Sequence, residues 1–128
     1  MGRQIVAVLT GVLVSFLAAA ASGYVIYQLS SGSPEAAPAL ARYLFNPIIA
    51  LLVGACVGAL VRSHPGILAA LSLAPSSIAP LLSRQLDSAH LFFMIFLSGV
   101  NLLLAAAAAV FVFRLRSQKT AHVSPVSR

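Results

Sequence analysis

The chain has 128 residues, 60% of them hydrophobic, and only ten Lys, Arg, Asp or Glu side chains, eight basic and two acidic. A water-soluble domain carries about a quarter charged residues, so 8% excludes a soluble enzyme, a disordered tail and a disulfide-stapled secreted domain. The net charge of +6 flanks apolar runs instead of forming one solvated face, which points to membrane orientation and away from nucleic acid.

Four stretches contain no charged residue: Gln4–Pro34, Tyr43–Val61, Ser63–Ser83 and Ser88–Phe113. Each has room for a membrane-crossing helix, which needs roughly 20 mainly apolar residues. The predicted architecture is all-α, a four-transmembrane-helix bundle with short loops. Spans are expected at about 5–29, 45–61, 67–83 and 90–113, within one membrane domain over 1–116, followed by a flexible basic tail over 117–128.

Span one follows Arg3. Its apolar run and Ala19–Ala21 resemble a cleavable signal peptide, but the run continues through Tyr24, Val25, Ile26, Tyr27 and Leu29, beyond the ~7–15 residues of a signal core. It reads as a retained anchor, with Tyr24 and Tyr27 at the membrane interface. Ala7, Gly11, Ser15, Ala18 and Ser22 form a stripe of small residues along it. After the span, Ser33, Pro34 and Glu35 make a helix-start signature, and a short surface helix ending near Tyr43 is expected.

Span two carries Pro47 in its first turn, where the missing N–H has no helical partner to lose. Ala50, Gly54 and Gly58 recur every four residues, the last two as a GxxxG pair. In lipid, helices associate through close backbone approach, so this face reads as a packing seam, within the bundle or toward a second protein. Cys56 is the only cysteine, lies mid-run and reads as a small hydrophobe. Arg62 closes the span, and His64-Pro65-Gly66 marks a tight turn.

Span three is the most polar. Pro75 and Pro80 interrupt it and deprive the carbonyls of Leu71 and Ser76 of their helical donors, so a kink or break is expected. Ser72, Ser76 and Ser77 surround the break and are candidates for a polar path. Broken helices persist in membranes where hydroxyls or neighbouring helices satisfy the freed groups.

Span four carries Asn101 near its midpoint, in a small-residue stripe with Ser98, Ala105 and Ala108. An amide at that depth needs a partner, so Asn101 is expected to bond across to Ser15, Thr10 or the serines of span three, or to line a polar path. Asp87 or Ser88 reads as the helix cap; Asp87 with His90 offers only two metal ligands. The tail's Arg114, Arg116 and Lys119 would attract anionic lipid headgroups.

With four crossings and the N-terminus inside, Arg3, Arg62, Arg114, Arg116, Lys119 and Arg128 fall on the cytoplasmic side and Arg42 and Arg84 opposite, six against two. Both termini are therefore expected in the cytoplasm. Ala-rich spans and short loops suit a bacterial inner membrane. The spans hold no Asp, Glu, Lys or Arg for proton relay or charged substrates, and Glu35 and Asp87, the only side-chain carboxylates, stand in different loops. No cofactor, phosphate-loop or paired-cysteine motif occurs. These features favour a non-enzymatic accessory subunit or helix-packing scaffold working with another membrane protein. The alternative is a homo-oligomeric channel or carrier for a small neutral or weakly charged solute.

Overall fold

The computed structural model describes residues 2–30, 41–82 and 88–122. Among them there is no strand, and only the turn Val61–His64 lies outside helix. Four helices follow in order: α1 (Gly2–Ser30), α2 (Asn46–Leu60), α3 (Pro65–Leu82) and α4 (Ser88–His122). Gly2–Leu29, Tyr43–Leu60 and Leu91–Thr120 are each long and apolar enough to cross a membrane. The 18 residues of α3 extend about 27 Å at ~1.5 Å per residue, slightly short of a ~30 Å hydrocarbon core.

Two boundaries differ from the sequence expectation. The segment Ala41–Phe45 is wound as a π-helix and runs directly into Asn46, so Tyr43 does not end a surface helix. Pro47 explains the wider winding, because it can neither donate to the Tyr43 carbonyl nor let it approach its ring. Ser33, Pro34 and Glu35 lie outside the described residues, as do Ser83, Arg84 and Asp87. At the other end of the chain, α4 continues past Phe113 and Arg116 to His122. No Gly or Pro interrupts this stretch. The Ser117 hydroxyl folds back on the Phe113 carbonyl at 3.0 Å and that of Thr120 on Ser117 at 2.9 Å. Arg114, Arg116 and Lys119 also place positive charge toward the negative end of the helix dipole.

A third correction concerns the break expected at the prolines. The α3 helix is unbroken across Pro75 and Pro80. Each proline removes one hydrogen bond while those on either side remain, and the Ser76 hydroxyl donates to the Leu73 carbonyl at 2.9 Å within the same stretch.

The helix directions alternate. Gln4 Nε2 donates to Ser63 Oγ at 2.7 Å, tying the start of α1 to the α2–α3 turn, and Arg116 reaches the Ala59 carbonyl in the last turn of α2. Arg3, Arg62, Arg114, Arg116 and Lys119 therefore gather at one end, the basic end. Toward the opposite end, the rings of Tyr43 and Phe93 meet with centroids 6.4 Å apart. In cross-section α2 and α3 touch and form the middle, while α1 and α4 each pack on both of them and not on one another.

The α2–α3 turn is closed by local bonds. Val61 is extended, and its N–H still reaches the Val57 carbonyl at 3.0 Å. His64 has φ of 51°, the left-handed region, and its carbonyl accepts from Leu68 N–H at 3.2 Å to open α3.

The distribution of side-chain size is inverted relative to a soluble bundle. The core is Ala7, Ile49, Ala50, Val53, Val57, Val61, Ala69, Leu73, Ala105 and Ala109, and nothing larger than valine is fully buried. Ile5, Leu9, Leu13, Phe16, Leu51, Ile67, Phe92, Phe96, Leu103 and Phe111 all face outward. Soluble proteins bury such residues and rarely expose apolar surface continuously.

Candidate functional site

Two seams position the site. On α2, a Cβ built on Gly54 would lie 2.2 Å from the Ala105 carbonyl oxygen, and one on Gly58 2.4 Å from that of Ala109. The GxxxG face is therefore pressed against the backbone of α4 in the same chain, with buried Ala50 one turn before it. The stripe read in α4 shifts slightly: Asn101, Ala105 and Ala109 are buried, with Ser98 and Ala108 half-buried. On the other side, a Cβ on Gly11 would lie 2.7 Å from the Ser72 side chain and 2.8 Å from Val57. Ser72 is fully buried in this α1–α3 seam. Its hydroxyl lies 2.8 Å from the Leu68 carbonyl and 3.3 Å from that of Val8. It belongs to helix packing and not to a polar path, because its face of α3 is turned against α1.

Beyond these seams, toward the end remote from the basic cluster, the four helices leave a pocket of about 220 Å³. Ser15 of α1, Asn46 of α2, Ser76 and Ser77 of α3, and Ser98 and Asn101 of α4 line it. Ile49, Leu73, Met94 and Leu97 supply much of its apolar wall. The pocket exists because α1 and α4 do not meet, and short serine side chains do not fill the space between them. None of these lining side chains is ionisable.

Asn101 is the distinctive group. It is only 8% exposed, yet its carboxamide makes no hydrogen bond among the described residues. Among the described residues no completely sealed side-chain nitrogen or oxygen lacks a partner, so the amide atoms keep some accessible surface, and Asn101 lines the pocket. The expected cross-helix bond from Asn101 to Ser15, Thr10 or the span-three serines is absent, because the pocket stands where that bond would run. Ser15 instead donates to the Val12 carbonyl at 2.8 Å and Ser76 to that of Leu73 at 2.9 Å. Both hydroxyl protons are thus directed to the backbone; the half-buried Ser76 oxygen stays free to accept, whereas Ser15 is fully buried.

Sequence reasoning placed Ser15 in a seam, and it serves both the seam and the pocket. Asn46 was missed. Its signal was available: the chain has two asparagines, and both line this pocket. The Asn-Pro dipeptide at the start of a span reads as a boundary, which hides that role. Pro75 is exposed, and the side chains of Pro80 and His90 lie outside the described residues. Cys56 is half-buried and free. Among the described residues no three His, Cys, Asp or Glu side chains converge. Comparison with protein-family models, with curated proteins and with solved structures finds no significant match to this chain.

Proposed function

We propose that the chain is a multi-pass integral protein of a cell membrane, with four crossings and both termini cytoplasmic, and that it acts without catalysis as a channel or carrier for a small uncharged solute. Membrane residence rests on the inverted packing, since Leu9, Leu13, Phe96 and Leu103 need a hydrocarbon surround and Gly54, Gly58 and Ala105 allow the backbone contact that helices in lipid use. The orientation rests on the basic end, where Arg3, Arg62, Arg114 and Lys119 would face the cytoplasm and its anionic headgroups at ~1 kcal/mol each. An Ala-rich chain with short connections fits a bacterial inner membrane.

The observation that carries the solute reading is the uncharged, hydrogen-bonding pocket around Asn101 in an otherwise apolar bundle. Ionisable residues mark proton and ion pathways in membranes, and this lining offers none, which favours neutral cargo. The accessory-subunit or scaffold reading drew on the GxxxG face as a docking surface, and that face is occupied by α4. It therefore stands second. The pocket is complete within one chain, so solute binding does not depend on a homo-oligomer.

Two experiments test this. Reporters fused after Arg62 and at the C-terminus should both register the cytoplasm; a C-terminal reporter active only outside would remove the topology. Proteoliposomes containing the purified protein should pass glycerol or acetamide faster than protein-free liposomes, and Asn101→Ala should reduce the rate. Equal rates with and without protein, together with a stoichiometric foreign membrane protein in native mass spectrometry, would return the scaffold reading to first place.

A further inference from the structure

We infer that the pocket between the four helices is a binding site for one small, uncharged molecule that both donates and accepts hydrogen bonds, of the primary-amide or polyol class, with the Asn101 carboxamide as its principal anchor. The inference deepens the reading of this pocket as a solute site. Its size is the first argument. A dry cavity of ~150 Å³ accommodates benzene, and drug-sized sites begin near ~300 Å³. The 220 Å³ here accommodates a ligand of roughly six to nine non-hydrogen atoms.

The hydrogen-bonding inventory gives the class. Asn101 presents an N–H₂ donor and a carbonyl acceptor with no protein partner. Ser76 has committed its proton to Leu73 and presents an oxygen that accepts, while Ser15, fully buried, contributes only wall. The fixed groups therefore ask the ligand for both donors and acceptors. A primary amide matches Asn101 edge to edge, and a polyol matches it through adjacent hydroxyls. An apolar ligand would leave the Asn101 amide unpaired in a site closed on most sides, which is unfavourable. A carboxylate or ammonium ion would lose its hydration with no countercharge among Ser15, Asn46, Ser76, Ser77, Ser98 and Asn101.

The composition supplies a direct probe. Asn46 and Asn101 are the only asparagines, so selective ¹⁵N-asparagine labelling gives two side-chain N–H₂ signals, both in the pocket. The full-length protein in lipid nanodiscs would be titrated with acetamide and glycerol, with acetate and toluene as charged and apolar controls and sucrose as an oversized one. Saturable shifts of both signals with acetamide or glycerol, absent with the controls, are the expected result. In Asn101→Ala the Asn46 signal remains as reporter, and the apparent Kd should rise about tenfold, the loss of one to two neutral hydrogen bonds. Ser98→Ala, a smaller change on the same helix, should weaken binding about threefold and serves if Asn101→Ala does not fold.

Linear or absent shifts with both probes, contacts from Asn101 to water alone, equal saturation by toluene or acetate, or an unchanged Kd in Asn101→Ala or, where that variant does not fold, in Ser98→Ala would each overturn the assignment. Flux separates the two readings. Saturable binding without flux removes the channel or carrier role and leaves the binding site. Flux with no saturable shift at Asn101 removes the binding site and leaves the transport reading.

Discussion

Gly54→Ala is the sharpest test of the packing described above. The added methyl would lie 2.2 Å from the Ala105 carbonyl oxygen, 2.9 Å from its carbonyl carbon and 2.9 Å from the Ala108 Cβ. Favourable carbon contacts lie near 3.5–4.0 Å, so α2 and α4 must part by about 1 Å. A gap of that size forfeits up to half of the dispersion well for the atoms facing it, and the Gly58–Ala109 contact one turn further on lies in the same interface. Overpacking of this kind costs about 1–3 kcal/mol, and the obstacle here is helix backbone, which places the cost near the upper value. Alanine's helix propensity returns up to ~1 kcal/mol, for a net loss of about 2 kcal/mol. That is roughly a thirtyfold change in the folding equilibrium. Equilibrium unfolding in mixed micelles with increasing SDS fraction would measure it. Gly99→Ala is the control, since its methyl meets nothing within 4 Å and should stabilise by ~0.5–1 kcal/mol. A Gly54→Ala protein as stable as wild type would refute the α2–α4 contact. A variant that instead loses a dimer without losing monomer stability would place the GxxxG face between chains.

Three further outcomes follow from the same geometry. Asn101→Leu should leave unfolding in detergent within about 1 kcal/mol of wild type, or raise stability, because no protein hydrogen bond is lost and the pocket gains apolar volume; a loss above ~2 kcal/mol in the same SDS titration would mean that the amide holds the bundle together. Arg116→Ala removes a cation from the last turn of α2 and should cost ~0.3–1 kcal/mol at low salt and less at high salt, read from melting curves at two ionic strengths. His64→Val should destabilise by about 1–2 kcal/mol through the left-handed backbone, whereas His64→Gly should be neutral or slightly stabilising, and thermal melts of the pair give the sign.

What was legible in the sequence followed from local rules. Charge-free runs gave the helices, and steps of three and four between small residues gave the seams at Gly11, Ala50, Gly54 and Gly58. Asn101 stood out because a carboxamide deep in an apolar run is costly. The partners of these groups were not legible. Whether Ser72 or Ser76 faces the pocket depends on how α3 is rotated against α1, and the pattern of serines fits either rotation. The absence of a bond to Asn101 depends on α1 and α4 staying apart, a fact about cross-section that no single helix encodes. Pro75 and Pro80 marked where helical hydrogen bonds are missing but not that the helix would stay unbroken, because the bonds on either side of each proline keep α3 continuous. The helical extension past Arg116 was read as a tail because its residues are polar, although polarity alone does not stop a helix.

The α2–α4 pair has a mechanical consequence. Both helices run in the same direction, and their backbones are clamped at Gly54–Ala105 and Gly58–Ala109, toward the basic end, where Arg116 also fastens to Ala59. Closer to their starts Asn46, Ile49, Leu97 and Asn101 line the pocket, and the rings of Tyr43 and Phe93 meet toward the far end. The tight approach at Gly58–Ala109 is a natural fulcrum for any tilt of α4. A tilt of α4 about that point would leave Ala109 nearly in place and displace Asn101, Leu97 and Met94 progressively more, changing the aperture of the pocket they line.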